Sequence, residues 1–176
     1  MFGEIGQNQE KKNASKKETS NVRKFIGLIL LSAWLSMVFS FSAQSSLESN
    51  QLSKMIAGPV TSIINIVLPP PNAQFIAERL LTVNMALRKG AHITLYFLLG
   101  CLIAFFFRDD YGKISSGRLA GLFALCFLLA SLDEAHQLFV PGRTAQTSDV
   151  VIDSVGAFFG IMVVNCVCLY KKRKDR

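Results

Sequence analysis

LDEAHQLFVPGRTAQTSDVVID, residues 132–153, decides how this chain is read. It holds four of the chain's twelve acids and one of its two histidines, yet it sits between two apolar runs. Asp133, Glu134, His136, Gln137, Arg143, Asp149 and Asp153 cost too much beside hydrocarbon to be filler. The pattern implies a small polytopic membrane protein with a polar site at one face.

Working outward, length decides little: 176 residues, 51% of them hydrophobic, could also bury one soluble core. The layout of the apolar residues decides more. Charge is almost absent from runs at about 25–41, 91–107, 119–132 and 150–170; a bilayer core needs about 20 mostly apolar residues in a helix, so spans are expected at about 25–41, 90–107, 118–138 and 150–170. The third run is apolar for only about 14 residues before Asp133, short of that length. It crosses only if its polar end reaches the interface or faces other helices. The expected fold is all-α: a four-helix transmembrane bundle with one or two interfacial amphipathic helices in the first extracytoplasmic loop.

The net charge of +7 raises the possibility of nucleic-acid binding. The basic residues instead cluster at the two ends, from Lys11 to Lys24 and from Lys171 to Arg176, with no interleaved aromatic or glycine pattern. Positive-inside topology explains them, and no nucleic-acid partner is expected. With both termini in the cytoplasm, fourteen Lys and Arg lie inside. Five lie outside: Lys54, Arg79, Arg88, Lys89 and Arg143. That bias places 132–153 on the outer side of the plasma membrane.

Residues 1–24 and 171–176 read as polar basic tails, the first disordered. Residues 25–41, FIGLILLSAWLSMVFSF, form an uncleaved first helix; the competing signal peptide is disfavoured by the long charged tail before it. In the 43–88 loop, Leu52, Met55, Ile56, Val60, Ile63, Ile64 and Val67 recur at helical spacing across Gly58-Pro59. Pro69-Pro70-Pro71 ends that element. Asn72 then caps a second amphipathic one carrying Phe75, Ile76, Leu80, Val83 and Leu87. A small folded cap is the alternative to two surface helices. Cys101, Cys126, Cys166 and Cys168 all lie in spans and form no CxxC, so they read as small apolar fillers rather than a redox or metal pair.

Three helix ends meet at the outer face. Lys89, His92 and Tyr96 share a face of the second span, Asp133, His136 and Gln137 a face of the third, and Asp149 and Asp153 a face of the fourth. None of these faces is tolerable toward lipid, so they should turn toward one another. Gly156 and Gly160 make a GxxxG step for close helix packing. Pro141-Gly142 suits a tight turn holding Arg143 at the mouth, where a guanidinium grips phosphate or carboxylate. Ser148 or Thr147 is placed to cap the fourth helix, with Asp149 in its first turn. Simpler readings exist for each feature. The acids and cations could form a structural ion network, His136 a hydrogen-bonded linchpin, and Asp149 a cap alone. The two histidines and several carboxylates could instead bind a divalent cation, but no HExxH or similar tight motif supports a metal, and none is expected.

RKGAHITLYFLLG (88–100) and ASLDEAHQLFVPGRTAQTSDVVIDSVGAFFG (130–160) resemble the two signature blocks of VanZ-like membrane proteins, a family named for a teicoplanin-resistance determinant. FSFSAQSS (39–46) is similar to the Ser-rich segment the family carries after its first span. The family pattern maps onto Lys89, His92, Tyr96, Asp133, Glu134, His136, Gln137, Pro141, Gly142, Arg143, Asp149 and Gly156. Asp153 departs from it, Asn being frequent there. The resemblance implies a cell-envelope role with reduced glycopeptide sensitivity, and names neither a reaction nor a cofactor.

The leading expectation is recognition of an anionic envelope component, a membrane lipid or lipid-linked precursor. Arg143 and Lys89 would bind the anion, with Tyr96, Gln137, Asp149 and Asp153 lining the site; Asp133, His136 and His92 would orient it or exchange protons. An enzyme using His136 as general base, tuned by Asp133 or Glu134 and aided by His92, is the alternative. A structural partner subunit is the third.

Overall fold

The computed structural model describes the backbone of all residues except 1, 45, 109–113, 144, 145, 175 and 176. The side chains of 2–13, 16, 46–50, 52 and 172 also lie outside the described set. Five helices follow in order: α1 (Phe2–Ser42), α2 (Ser46–Val67), α3 (Ala73–Phe107), α4 (Ser116–Gln137) and α5 (Thr147–Lys174). No strand occurs among the described residues. Four helices, all but α2, are long and apolar enough to cross a membrane. Their outward surfaces are apolar, as Phe25, Phe127 and Val167 illustrate. In water such faces would be a liability; against lipid they are the solvated surface.

α3 is the axis of the bundle and packs most extensively on α5, with α1 and α4 completing the core. Glycines allow that closeness. A Cβ on Gly156 would come within 2.6 Å of the Ile93 carbonyl oxygen. One on Gly100 would meet the Ala157 carbonyl oxygen at 2.2 Å. Backbones in such contact gain dispersion energy where no hydrophobic effect operates between helices. The core fills with Val38, Tyr96, Leu99, Ile103, Leu122, Cys126, Ala130, Ala157 and Ile161. Trp34 Nε1 donates to the Leu95 carbonyl at 3.2 Å, tying α1 to α3.

Two departures from expectation concern the ends of elements. Residues 2–24, expected as a disordered tail, continue α1 back to Phe2. The span supplies the nucleus, and the Glu, Lys, Gln and Ala before it extend a helix at little cost. Residues 175–176 of the second tail lie outside the described residues.

In the 43–88 segment, α2 runs unbroken through Pro59. The second amphipathic stretch is not a separate helix but the first half of α3, whose N-cap Asn72 accepts from Phe75 N–H at 2.8 Å. At about 1.5 Å per residue, 35 residues make a helix of about 52 Å, well beyond a hydrocarbon core of roughly 30 Å. The excess pairs with α2 as a helical hairpin. Arg79 closes its turn by donating to the Leu68 carbonyl at 2.7 Å and to the Asn65 side chain.

Candidate functional site

The site lies at the end of the bundle where α1 stops, α4 stops and α5 begins. α4 buries Cys126, Ala130, Asp133, Glu134 and Gln137 along one stripe. Residues 140–143 then form a turn in which Arg143 N–H donates to the Val140 carbonyl at 3.1 Å. Gly142 there has φ 76°, the left-handed value a type II turn requires at that place. Pro141 presets the position before it, and Arg143 is thereby aimed back over the bundle.

Arg143 sits at the end of a polar chain. Its Nη1 donates to Gln137 Oε1 at 3.1 Å, and Gln137 Nε2 donates to Ser42 Oγ at 2.7 Å. Arg143 Nε donates to the Gln44 carbonyl at 3.2 Å. The end of α1 is thus bonded to α4 and to the turn. Ser42 and Gln44 were not singled out as site residues, although both lie within FSFSAQSS. On the other side, Lys89 Nζ meets Asp149 Oδ1 at 2.8 Å, linking α3 to the first turn of α5. The Glu134 carboxylate accepts the backbone N–H of Gln146, just before α5. Thr147 and Ser148 fall inside the first turn of α5 rather than ahead of it, and Ser148 Oγ approaches the Gln146 and Asp149 side-chain oxygens.

These groups enclose a cavity of about 300 Å³ lined by Arg88, Lys89, His92, Gln137, Arg143, Gln146, Asp149 and Asp153, with Met85, Gly142 and Ile152. Six sequence-derived candidates therefore line it: Lys89, His92, Gln137, Arg143, Asp149 and Asp153. Beneath it, Asp133 is buried at 1% exposure. Tyr96 is equally buried, its hydroxyl donating to the Leu129 carbonyl at 3.5 Å; it belongs to the core rather than to the cavity wall. His92 Nδ1 stands 3.4 Å from Asp153 Oδ2, close but not aligned for a hydrogen bond.

His136 is the exception. It is exposed, does not line the cavity, and stacks edge-on to Phe39 of α1 with centroids 6.1 Å apart. At about 100° per residue it lies about 60° to one side of Asp133, while Gln137 lies about 40° to the other. Glu134 and Gln137 take the buried flank. The role of general base at the cavity therefore does not fall to His136 by geometry; His92 is the histidine that reaches it.

Arg88 was counted as an outer cation but not as a site residue. It lines the cavity with Arg143. Burial pushes the Arg143 guanidinium below its ordinary pKa, and the like charge of Arg88 pushes the same way; Asp133, Glu134 and Asp149 pull it back up. Arginine keeps its charge through such a shift. Arg88 and Arg143 thus bring two guanidiniums to a recess that also holds Asp149 and Asp153.

A second cavity, about 570 Å³, lies at mid-bundle between α1, α3 and α5 and is walled by apolar side chains such as Leu30, Trp34, Leu98 and Phe105. It carries none of the polar groups above.

Fold and cavity together define a small all-helical, multi-pass membrane protein with a charged recess at one end of its bundle. The chain belongs to the VanZ/LLP1 family, whose model matches residues 25–169 and so covers all four spans from Phe25 onward and the recess between them. No curated protein and no solved structure matches it significantly.

Proposed function

We propose that the recess is a receptor for an anionic group of a cell-envelope component, a lipid phosphate or an acidic lipoglycopeptide. In this reading the chain sits in the plasma membrane with both termini in the cytoplasm and the recess outside. The charge bias of fourteen against five Lys and Arg supports that orientation. Holding such a component, or a drug that targets it, would lower glycopeptide sensitivity.

The observation that carries the reading is the pair of guanidiniums, Arg88 and Arg143, lining one cavity with Lys89. Their mutual repulsion is relieved by an anion between them, and each guanidinium offers a fork of donors to phosphate or carboxylate. Gln137, Ser42 and Gln44 preorganise Arg143, so little side-chain entropy remains to be lost on binding.

The test uses protein reconstituted in lipid nanodiscs and an alkyl phosphate as probe, with the corresponding alkyl alcohol as control. Wild type should bind the phosphate and not the alcohol. Arg143→Ala and Arg88→Ala should each weaken binding by about 10- to 100-fold, the worth of one charge-assisted contact, whereas His136→Gln should bind like wild type. In cells with matched membrane levels, wild type and His136→Gln should lower teicoplanin sensitivity and Arg143→Ala should not. Equal sensitivity of expressing and non-expressing cells would sink the resistance role; equal binding of phosphate and alcohol would sink the receptor.

A further inference from the structure

Below the guanidinium rim, three helices deliver three metal-ligating side chains to one point. His92 comes from α3, Asp133 from α4 and Asp153 from α5, and one donor atom of each lies within 4.8 Å of the others. Proximity of acids alone would mean little. What sets this group apart is the state of its atoms. Asp133 is 1% exposed and Asp153 3%, and both oxygens of Asp133, Oδ1 of Asp153 and Nδ1 of His92 are buried without a hydrogen-bond partner among the described residues. The hydroxyls of Ser42 and Tyr96 come near Asp133, yet neither reaches its oxygens in good hydrogen-bond geometry.

Two buried carboxylates side by side are expensive in a membrane bundle unless a positive charge neutralises them. Two of the neighbouring cations are engaged elsewhere: Lys89 pairs with Asp149, and Arg143 is held by Gln137 and Gln44. Neither Asp133 nor Asp153 forms an ion pair with Lys or Arg among the described residues. We propose that His92, Asp133 and Asp153 bind a divalent first-row metal ion, with its remaining coordination positions open toward the cavity. One imidazole and two carboxylates suit Zn²⁺ or Mn²⁺, since the nitrogen donor disfavours magnesium and calcium.

The dimensions agree. With bonds of about 2.1 Å, donors around a tetrahedral ion stand about 3.4 Å apart, and His92 Nδ1 to Asp153 Oδ2 is 3.4 Å. The Asp133 donor lies within 4.8 Å of the other two. His92 and Asp153 line the cavity while Asp133 lies under it, so the ion would have protein on one side and the recess on the other. That is the arrangement of a site that keeps positions for exchangeable ligands rather than a closed structural one.

The inference shares the cavity with the anion receptor but does not rest on it, because metal binding can be read without any envelope ligand. Full-length protein in detergent is stripped with a chelator, dialysed, and titrated with Zn²⁺ and with Mn²⁺, following bound metal per chain and thermal stability. Wild type should take up one ion and become more stable. Asp133→Asn and Asp153→Asn, which keep side-chain shape, should weaken uptake about tenfold or more. Arg143→Ala should bind metal like wild type while failing in the phosphate assay, which separates the two proposals. Absence of stoichiometric uptake by monodisperse wild type overturns the site, and so does uptake unchanged in both Asn variants. If either Asn variant fails to fold, His92→Gln takes its place: unchanged uptake there also overturns the proposal.

Discussion

Arg143 shows how a single side chain can be prepared for a ligand before it arrives. Its backbone is placed by a turn that needs a positive φ at Gly142, and its guanidinium is held by Gln137 and the Gln44 carbonyl. An L-residue with a Cβ in that left-handed geometry costs about 1–2 kcal/mol. Gly142→Ala is therefore expected to shift Arg143 and weaken alkyl-phosphate binding several-fold, with only a small drop in Tm because the turn is exposed. Titration calorimetry beside a thermal melt checks this; unchanged affinity would show that the turn does not set the position of the guanidinium. Charge neighbours matter at the same scale. Arg88 raises the potential that Arg143 experiences, so removing either one lowers the demand for an anion at the other.

Among the elements, the contact between α3 and α5 sets the width of the recess, since one wall comes from each. A Cβ at position 160 would lie 2.1 Å from the Phe97 carbonyl oxygen. That collision is with backbone and cannot be relieved by a rotamer change. Gly160→Val should separate the two helices and sharply reduce the yield of monodisperse protein. Gly121→Ala, where nothing lies within 4 Å of the new methyl, should be neutral or stabilising by up to about 1 kcal/mol through helix propensity. Size-exclusion profiles and melts of the two variants decide it; equal behaviour would mean that close α3–α5 approach is unimportant.

The GxxxG step and the Pro-Gly turn were both legible in the sequence because each is a local pattern with one steric meaning. The continuity of α3 was not. Its amphipathic first half and apolar second half carry different solvents' signatures, and only the backbone shows them to be one rod. The hairpin it makes with α2 gives the 43–88 segment an internal partner instead of two separate surface helices.

For the molecule as a whole, orientation follows from charge distribution rather than from packing. Reporter fusions after Arg143 and after Lys174 should report opposite sides of the membrane, the first outside and the second in the cytoplasm. A cytosolic signal after Arg143 would remove the recess from the envelope and with it the proposed ligand. The same global view explains why polar groups crowd one end of the bundle. Lipid excludes them from the outward faces, and the middle of α3, the end of α4 and the start of α5 are where they meet.

What the amino-acid sequence determined by itself was the number of spans, the family resemblance, the Asn72 cap and the convergence of Lys89, His92, Gln137, Arg143, Asp149 and Asp153 on one end. All of these follow from one-dimensional signals: apolar length, helical period and the cost of charge in hydrocarbon. Tertiary structure alone decided the rotation of each helix within the bundle. That rotation turned His136 away toward Phe39, sank Tyr96 into the core and admitted Arg88 to the cavity wall. From the three faces expected to converge, it also selected His92, Asp133 and Asp153 as the trio whose donor atoms lie within 4.8 Å of one another. Helical period defines a face to within about 60° either way; contacts with neighbouring helices choose the side.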